Sequence, residues 1–228
     1  MDIDNRSALS VAAARLITAG TAASALIAMA SLSPVASHPK NGGIAQQQGE
    51  MDPSAQGYAP PDPATLGGPF AARDHDGVPV THQSWPGKWL VMFFGFSGCR
   101  EACPVGFDAF TLALEQMGAD AGKIQPLFVE LSMAKQQDYK GLKQFVSNFH
   151  PSVVGIAGSR AETFDLVRHF QVRREYGHSS YSKRETGPRL NHSTYFYVVA
   201  PDGRVTGTFY HNLPAGKMVA SLRQFMAQ

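Results

Sequence analysis

Apolar residues form two alternating patterns along this chain: continuous runs of strand length, and stretches in which they recur at helical spacing. Continuous runs without regular polar positions are typical of strands covered on both faces of a sheet. Such runs occupy residues 88–96, 124–132 and 153–159. A helix is predicted after each run. The first begins at about Cys99 or Pro104 and ends near Gly118, because proline is tolerated in the first helical turn.

Two further segments are predicted to be β-hairpins, because each contains an Asp-Gly pair between short apolar stretches. These pairs are Asp76-Gly77 near the start of the patterned region and Asp202-Gly203 near its end. An amphipathic stretch closes the chain. Strands that alternate with helices, followed by a hairpin and a last helix, predict an α/β fold. The order of elements matches a thioredoxin-like three-layer sandwich with a mixed central sheet and an N-terminal β-hairpin.

The first 68 residues differ in composition from the rest. Residues 16–36 carry no charge and would extend about 32 Å as a helix, close to the thickness of a bilayer core. They are also rich in small residues and include candidate cleavage sites. We interpret residues 1–37 as a signal peptide or signal-anchor and residues 38–68 as a flexible linker. The folded domain is predicted at residues 69–228, in the periplasm, with membrane contact only through the N-terminal segment.

The charge balance excludes one class of partner. The net charge is +2, whereas a nucleic-acid-binding protein needs a strongly basic face, so no nucleic-acid partner is predicted. Residues 172–191 hold five Lys or Arg side chains. We interpret this segment as a solvated loop, with electrostatic steering of an acidic partner as the alternative.

The two cysteines, Cys99 and Cys103, stand where the first apolar run meets the following helix. In an exported protein a structural disulfide is the ordinary interpretation. A bond across so short a loop, however, would stabilise the fold by only about 2 kcal/mol in the chain-entropy model. A helix N-terminus favours thiolate over thiol, and thiolate is the form that attacks disulfides and binds soft metals. The pair therefore indicates a redox or metal site.

The spacing of the cysteines favours metal over redox chemistry. Thioredoxin-type motifs have two residues between their cysteines, whereas three intervene here, which predicts both sulfurs one helical turn apart on one face. Such a pair suits Cu(I) or Zn(II), for which histidine is a natural third ligand. Zinc would need a fourth protein ligand, and the sequence offers no good one. His192, just before the second hairpin, is the favoured third ligand, and His178 is its rival.

Two segments resemble the SCO/SenC family of thioredoxin-like copper proteins. The first, "GPFAARDHDGVPVTHQSWPGKWLVMFFGFSGCREACPVGF", has an Asp-Gly hairpin, a strand ending in Phe-Gly-Phe and a Cys-x-x-x-Cys-Pro motif. The second is "NHSTYFYVVAPDGRV", with a histidine before a hairpin. The resemblance runs from about Gly68 to the C-terminus. It implies a copper chaperone, with thiol-disulfide reductase activity left open, that binds Cu(I) or Cu(II) through Cys99, Cys103 and His192.

The resemblance also implies a partner. The family delivers copper, or reducing equivalents, to the binuclear copper centre of cytochrome c oxidase, so the expected partner is the oxidase subunit that holds this centre or another exported copper protein. Two positions depart from the family pattern. Asn191 stands where the family usually has an Asp before the histidine, and an amide adds no charge to the imidazole. The segment "FVELSMAKQQDY" lacks the usual Val-Asp-Pro.

Two alternatives to the chaperone stay open at the level of the sequence. One is a thiol–disulfide oxidoreductase that acts on cysteines of an exported copper protein, with Cys99 and Cys103 as its redox pair and no need for His192. The other is a peroxidase that uses Cys99 at the start of the helix.

Overall fold

The computed structural model describes residues 60–100, 102–132, 134, 136–177 and 189–228. Nine strands and four α-helices lie within these ranges. The strands are β1 (Ala71–Asp74), β2 (Pro79–Thr81), β3 (Trp89–Gly95), β4 (Ile124–Glu130), β5 (Val154–Ala157), β6 (Arg174–Gly177), β7 (Arg189–His192), β8 (Tyr195–Val199) and β9 (Val205–Tyr210). The helices are α1 (Ala102–Met117), α2 (Tyr139–Val146), α3 (Arg160–His169) and α4 (Ala215–Met226).

Seven strands form one sheet with the order β2-β1-β5-β4-β3-β8-β9. At its centre, β3 and β5 both run parallel to β4. The other pairs in this sheet are antiparallel, so the predicted mixed sheet is confirmed. The register places Gly95, the last residue of β3, opposite Glu130, the last residue of β4. The loops that follow these two strands therefore leave the sheet at the same edge.

The side chains of the central strands alternate between two buried layers, as the pleat of a strand requires. On β3, Val91 and Phe93 contribute to the layer that includes residues of α1, α2 and α4, whereas Met92 and Phe94 contribute to the layer that includes α3. Helices therefore cover both faces of the sheet, which confirms the three-layer prediction. Burial on both sides also explains why the strands are apolar at consecutive positions.

Both predicted hairpins are present, and each turn contains a glycine with positive φ. Gly77 has φ 81° and Gly203 has φ 90°, in the region that residues with a Cβ rarely adopt. In the first turn the Asp74 carboxylate accepts hydrogen bonds from the backbone N–H groups of Asp76 and Val78. The Asp-Gly pair therefore predicts the turn because glycine permits the positive φ that the turn requires.

The ordered core begins earlier in the chain than the predicted boundary at residue 69. Leu66, within the segment interpreted as a linker, is 9% exposed and packs into the layer that includes α3. The backbone N–H of Gly67 donates to the carbonyl of His169 at 2.9 Å. At least this end of the predicted linker is therefore part of the fold.

The segment interpreted as a solvated loop contains two strands that the sequence pattern did not indicate. β6 and β7 pair antiparallel as a separate two-stranded sheet, with Arg174 opposite His192. His192 is therefore the last residue of a short strand. His178, like the predicted leader at residues 1–37, lies outside the described residues. None of the described helices is long and apolar enough to cross a membrane.

Candidate metal centre

The cysteines are held by the junction between β3 and α1. The helix begins at Ala102, so Cys103 is its second residue. Cys99 lies in the turn before the helix, and its backbone N–H donates to the carbonyl of Phe96 at 2.9 Å. The prediction that both sulfurs lie on one helical face is therefore wrong in detail, because the helix starts after Cys99. The turn nevertheless brings the two residues together.

The two cysteines form no disulfide, their side chains are in direct contact, and they differ in exposure. Cys99 is partly buried and Cys103 fully buried. The hydrogen bond with Cys99, and then burial, raise the pKa of the Cys103 thiol far above its ordinary value, against a smaller opposing effect of the Phe96 backbone. The prediction that the helix N-terminus would favour a thiolate is thus wrong for Cys103 in the metal-free protein.

The end of β3 is shaped to receive the Cys103 sulfur. A Cβ atom at Gly95 would lie 2.9 Å from the Sγ of Cys103 and 3.0 Å from the ring of Phe128. Carbon atoms do not approach sulfur this closely without displacement, so the glycine makes the contact possible. The glycine of the Phe-Gly-Phe strand end is therefore part of the centre.

His192 enters the same region from β7. Its ring lies beside two aromatic rings, with centroid distances of 6.3 Å to Phe93 and 5.8 Å to Phe96. Nδ1 lies 2.9 Å from the carbonyl oxygen of Ser193, and a carbonyl only accepts, so Nδ1 carries the proton. Burial lowers the pKa of the His192 imidazole. The neutral ring therefore presents an unprotonated Nε2, the form that binds metals.

The three predicted ligands share one neighbourhood without forming a closed site. Cys99 is near enough to His192 for its charge to act on the imidazole, and it contacts Cys103 directly. Within the described part of the chain, however, no group of three or more His, Cys, Asp or Glu side chains has a geometry that could hold a metal ion. The donor set of two sulfurs and one imidazole nitrogen fits copper. In this structure, however, the three side chains are not close enough together to bind one ion.

Two nearby residues were not identified from the sequence. Glu130, at the end of β4, is 5% exposed, and its charge contributes to the raised pKa of Cys103. His211 is 9% exposed, with Nδ1 3.2 Å from the Thr194 carbonyl. An acidic residue inside the apolar run of β4 was a signal that could have identified Glu130. The sequence has no comparable signal for His211.

Two other histidines, His75 and His150, make hydrogen bonds within the fold. Nδ1 of His75 accepts the backbone N–H of Gly155 at 3.0 Å. Nδ1 of His150 lies 2.7 Å from the Ser152 hydroxyl. Neither residue belongs to the region around the cysteines.

Comparisons with known proteins agree with this architecture. The yeast Saccharomyces cerevisiae protein SCO2, mitochondrial, is 31% identical over 164 residues, which make up 70% of this chain and 52% of the relative. The chain thus spans about half the length of that relative. The structure of Bradyrhizobium japonicum ScoI with copper bound has a TM-score of 0.61 at 25% identity and covers 71% of this chain and 99% of that one.

The yeast Sco1 structure with copper bound has a TM-score of 0.60 at 28% identity, and the match covers 70% of this chain and 87% of that one. These neighbours confirm the thioredoxin-like α/β fold. The SCO1/SenC family model matches residues 59–227. That match includes both cysteines, the Asp-Gly hairpins and His192, and the chain therefore belongs to the SCO1/SenC family.

Proposed function

We propose that this protein is a copper chaperone that binds copper through Cys99, Cys103 and His192. It delivers copper, or reducing equivalents, to the binuclear copper centre of cytochrome c oxidase. The observation that carries the proposal is the contact between the two thiols beside an imidazole whose Nε2 is unprotonated. Relatives solved with copper bound support copper as the cargo.

The donor set suits both oxidation states of copper. Thiolates are soft ligands that favour Cu(I), and an imidazole nitrogen is suited to Cu(II). Copper has to displace the proton that Cys103 shares with Cys99 in the metal-free protein. Since the three side chains are not converged, we propose that the ion itself draws them together. We expect His192 to approach without a change in the main sheet, because among the described strands β7 pairs with β6 alone.

The thiol–disulfide oxidoreductase is the second candidate function, and one observation favours it. The two thiols are in contact, and only Cys99 is partly exposed, so it could attack a disulfide while Cys103 resolves the mixed intermediate. The raised pKa of Cys103 and the presence of His192 favour the chaperone. An oxidoreductase has no need of the imidazole.

We also propose that residues 1–37 export the domain, so that residues 69–228 function in the periplasm, either anchored to the inner membrane or released. N-terminal sequencing of the mature protein decides between the two. Accessibility of the domain to protease in intact spheroplasts is expected, and resistance there would contradict export.

Replacement of either Cys99 or Cys103 by Ser is expected to weaken copper binding by more than about 100-fold. The reason is that a hydroxyl does not replace a thiolate for a soft ion. The fold should persist, because the structure contains no disulfide to lose. Equilibrium dialysis with far-UV circular dichroism on the same samples measures both. A Cys99→Ser protein that still holds one copper per chain with unchanged absorption would show that the assignment is wrong.

His192→Ala is expected to lose most Cu(II) binding and the sulfur-to-copper charge-transfer band. Some Cu(I) binding should remain, because Cu(I) tolerates two thiolates alone. Disulfide exchange should also remain, since it needs only the cysteines. His178→Ala, the control, should leave the spectrum nearly unchanged. Loss of the band in His178→Ala but not in His192→Ala would place the ligand elsewhere. Brisk reduction of a disulfide substrate with no effect of His192→Ala on copper would favour the oxidoreductase.

The affinity for Cu(I) is expected to rise about tenfold per pH unit for each thiol proton displaced. It should still rise above pH of about 8.5, where an ordinary thiol is ionised, because the contact with Cys99 and burial hold the pKa of Cys103 higher. His192 adds no dependence above about pH 6.5, because burial lowers its pKa. Competition against a Cu(I) chelator of known pH dependence measures this. A plateau above pH of about 8.5 would contradict it.

A further inference from the structure

Glu130 is a buried carboxylate beside the candidate centre that the proposed ligand set does not use. Its Oε2 accepts the backbone N–H of Ser97 at 2.8 Å, and its Oε1 accepts the backbone N–H of Ser132 at 2.9 Å. The Ser97 side chain also hydrogen-bonds to it. A buried charge is costly unless it is hydrogen-bonded, and here both oxygens have a donor.

The two N–H groups belong to the two loops that meet at this edge of the sheet. Ser97 lies in the turn that presents Cys99, since the N–H of Cys99 closes that turn on the carbonyl of Phe96. Ser132 lies in the loop after β4. One side chain therefore ties the cysteine turn to the neighbouring loop across the last paired position of β3 and β4.

We infer that Glu130 is a positioning residue of the proposed copper site: its carboxylate fixes the turn that carries Cys99, and its charge favours Cu(II) over Cu(I) at the thiols. The inference rests on the proposed copper function. It concerns a residue that would not touch the ion, and it makes a claim about the metal-free protein that can be tested without copper.

The charge has a direct consequence for the oxidation state. Burial raises the pKa of Glu130, and the hydrogen bonds from Ser97 and Ser132 act against that shift. Both oxygens accept N–H donors, an arrangement that an ionised carboxylate satisfies fully. The field of Glu130 reaches Cys103, where it acts against a negative charge on the sulfur. Because Cu(II) carries one positive charge more than Cu(I), a fixed negative charge stabilises Cu(II) more strongly. For any two unit charges about 10 Å apart at an effective dielectric constant of about 20, Coulomb's law gives an energy that changes an equilibrium about tenfold, and we expect an effect of this order.

The test compares Glu130→Gln, which removes the charge at nearly constant shape, with Glu130→Asp, which keeps the charge on a shorter side chain. Glu115→Gln is the matched control, because Glu115 is an exposed carboxylate on α1, the helix that carries Cys103. Two quantities are measured: the reduction potential of the copper complex, and amide hydrogen exchange at Ser97 and Ser132 in the metal-free protein.

Glu130→Gln should shift the ratio of Cu(II) to Cu(I) affinities about tenfold towards Cu(I), a rise of about 59 mV for a one-electron couple. Glu130→Asp should lose amide protection at Ser97 while its potential stays nearer to that of the wild type. Glu115→Gln should change neither. An unchanged potential in Glu130→Gln would overturn the inference, and so would a shift of equal size in Glu115→Gln.

Amide exchange in the wild-type protein keeps the inference falsifiable if Glu130→Gln fails to fold. Protection of both Ser97 and Ser132 supports it, and fast exchange at Ser97 overturns it. The two hypotheses fail in distinguishable ways. A wild-type protein that binds no copper refutes the proposed function, whereas one that binds copper without any effect of Glu130→Gln on its potential refutes only the role of Glu130.

Discussion

The candidate centre depends on the parallel pairing of β3 with β4, which ends on the facing residues Gly95 and Glu130. Parallel neighbours deliver the loops that follow them to the same edge of a sheet, where sites in open α/β folds are built. The pairing therefore places the cysteine turn, the start of α1 and the Glu130 carboxylate in one region. Gly95 adds a steric condition, because any side chain there would meet the Cys103 sulfur. The thiols are held by a close-packed contact with the sheet.

Two opposing effects act on the ionisation of the Cys103 thiol: the helix N-terminus favours the thiolate, and burial favours the thiol. Their magnitudes explain why the thiol prevails. A helix N-terminus stabilises a negative charge by about 0.3–1 kcal/mol, and by up to about 2 kcal/mol in favourable geometry. Removal of an ion from water costs several kcal/mol even after relaxation, and Cys103 is fully buried. Its contact with Cys99 acts in the same direction as burial. The metal-free protein therefore keeps Cys103 as a thiol, and binding of a metal by both sulfurs requires that Cys103 loses its proton.

Most of the fold could be predicted from the sequence because its signals are local. Continuous apolar runs identified β3 to β5, and Asp-Gly pairs identified both hairpins in the large sheet. β6 and β7 were missed because they are short and mostly polar and form no apolar pattern. At the site, Cys99 and Cys103 could be identified from their spacing. The raised pKa of Cys103 could not, because it depends on its contact with Cys99 and on its burial, which no motif encodes. Glu130 and His211 reach the centre through the pairing of distant strands, so their roles required the structure.

The proposed ligands come from two different sheets: the thiols lie at the edge of the large sheet, and His192 lies on the two-stranded sheet. Both thiols are fixed to the large sheet, through the Gly95 contact and the turn on Phe96. His192 belongs to the two-stranded sheet, where its ring lies against Phe93 and Phe96 and its Nδ1 donates to the Ser193 carbonyl. In the proposed function the imidazole is thus the ligand that comes from outside the large sheet. Cu(I) remains on two thiolates when the imidazole leaves, whereas Cu(II) loses the nitrogen ligand that it favours.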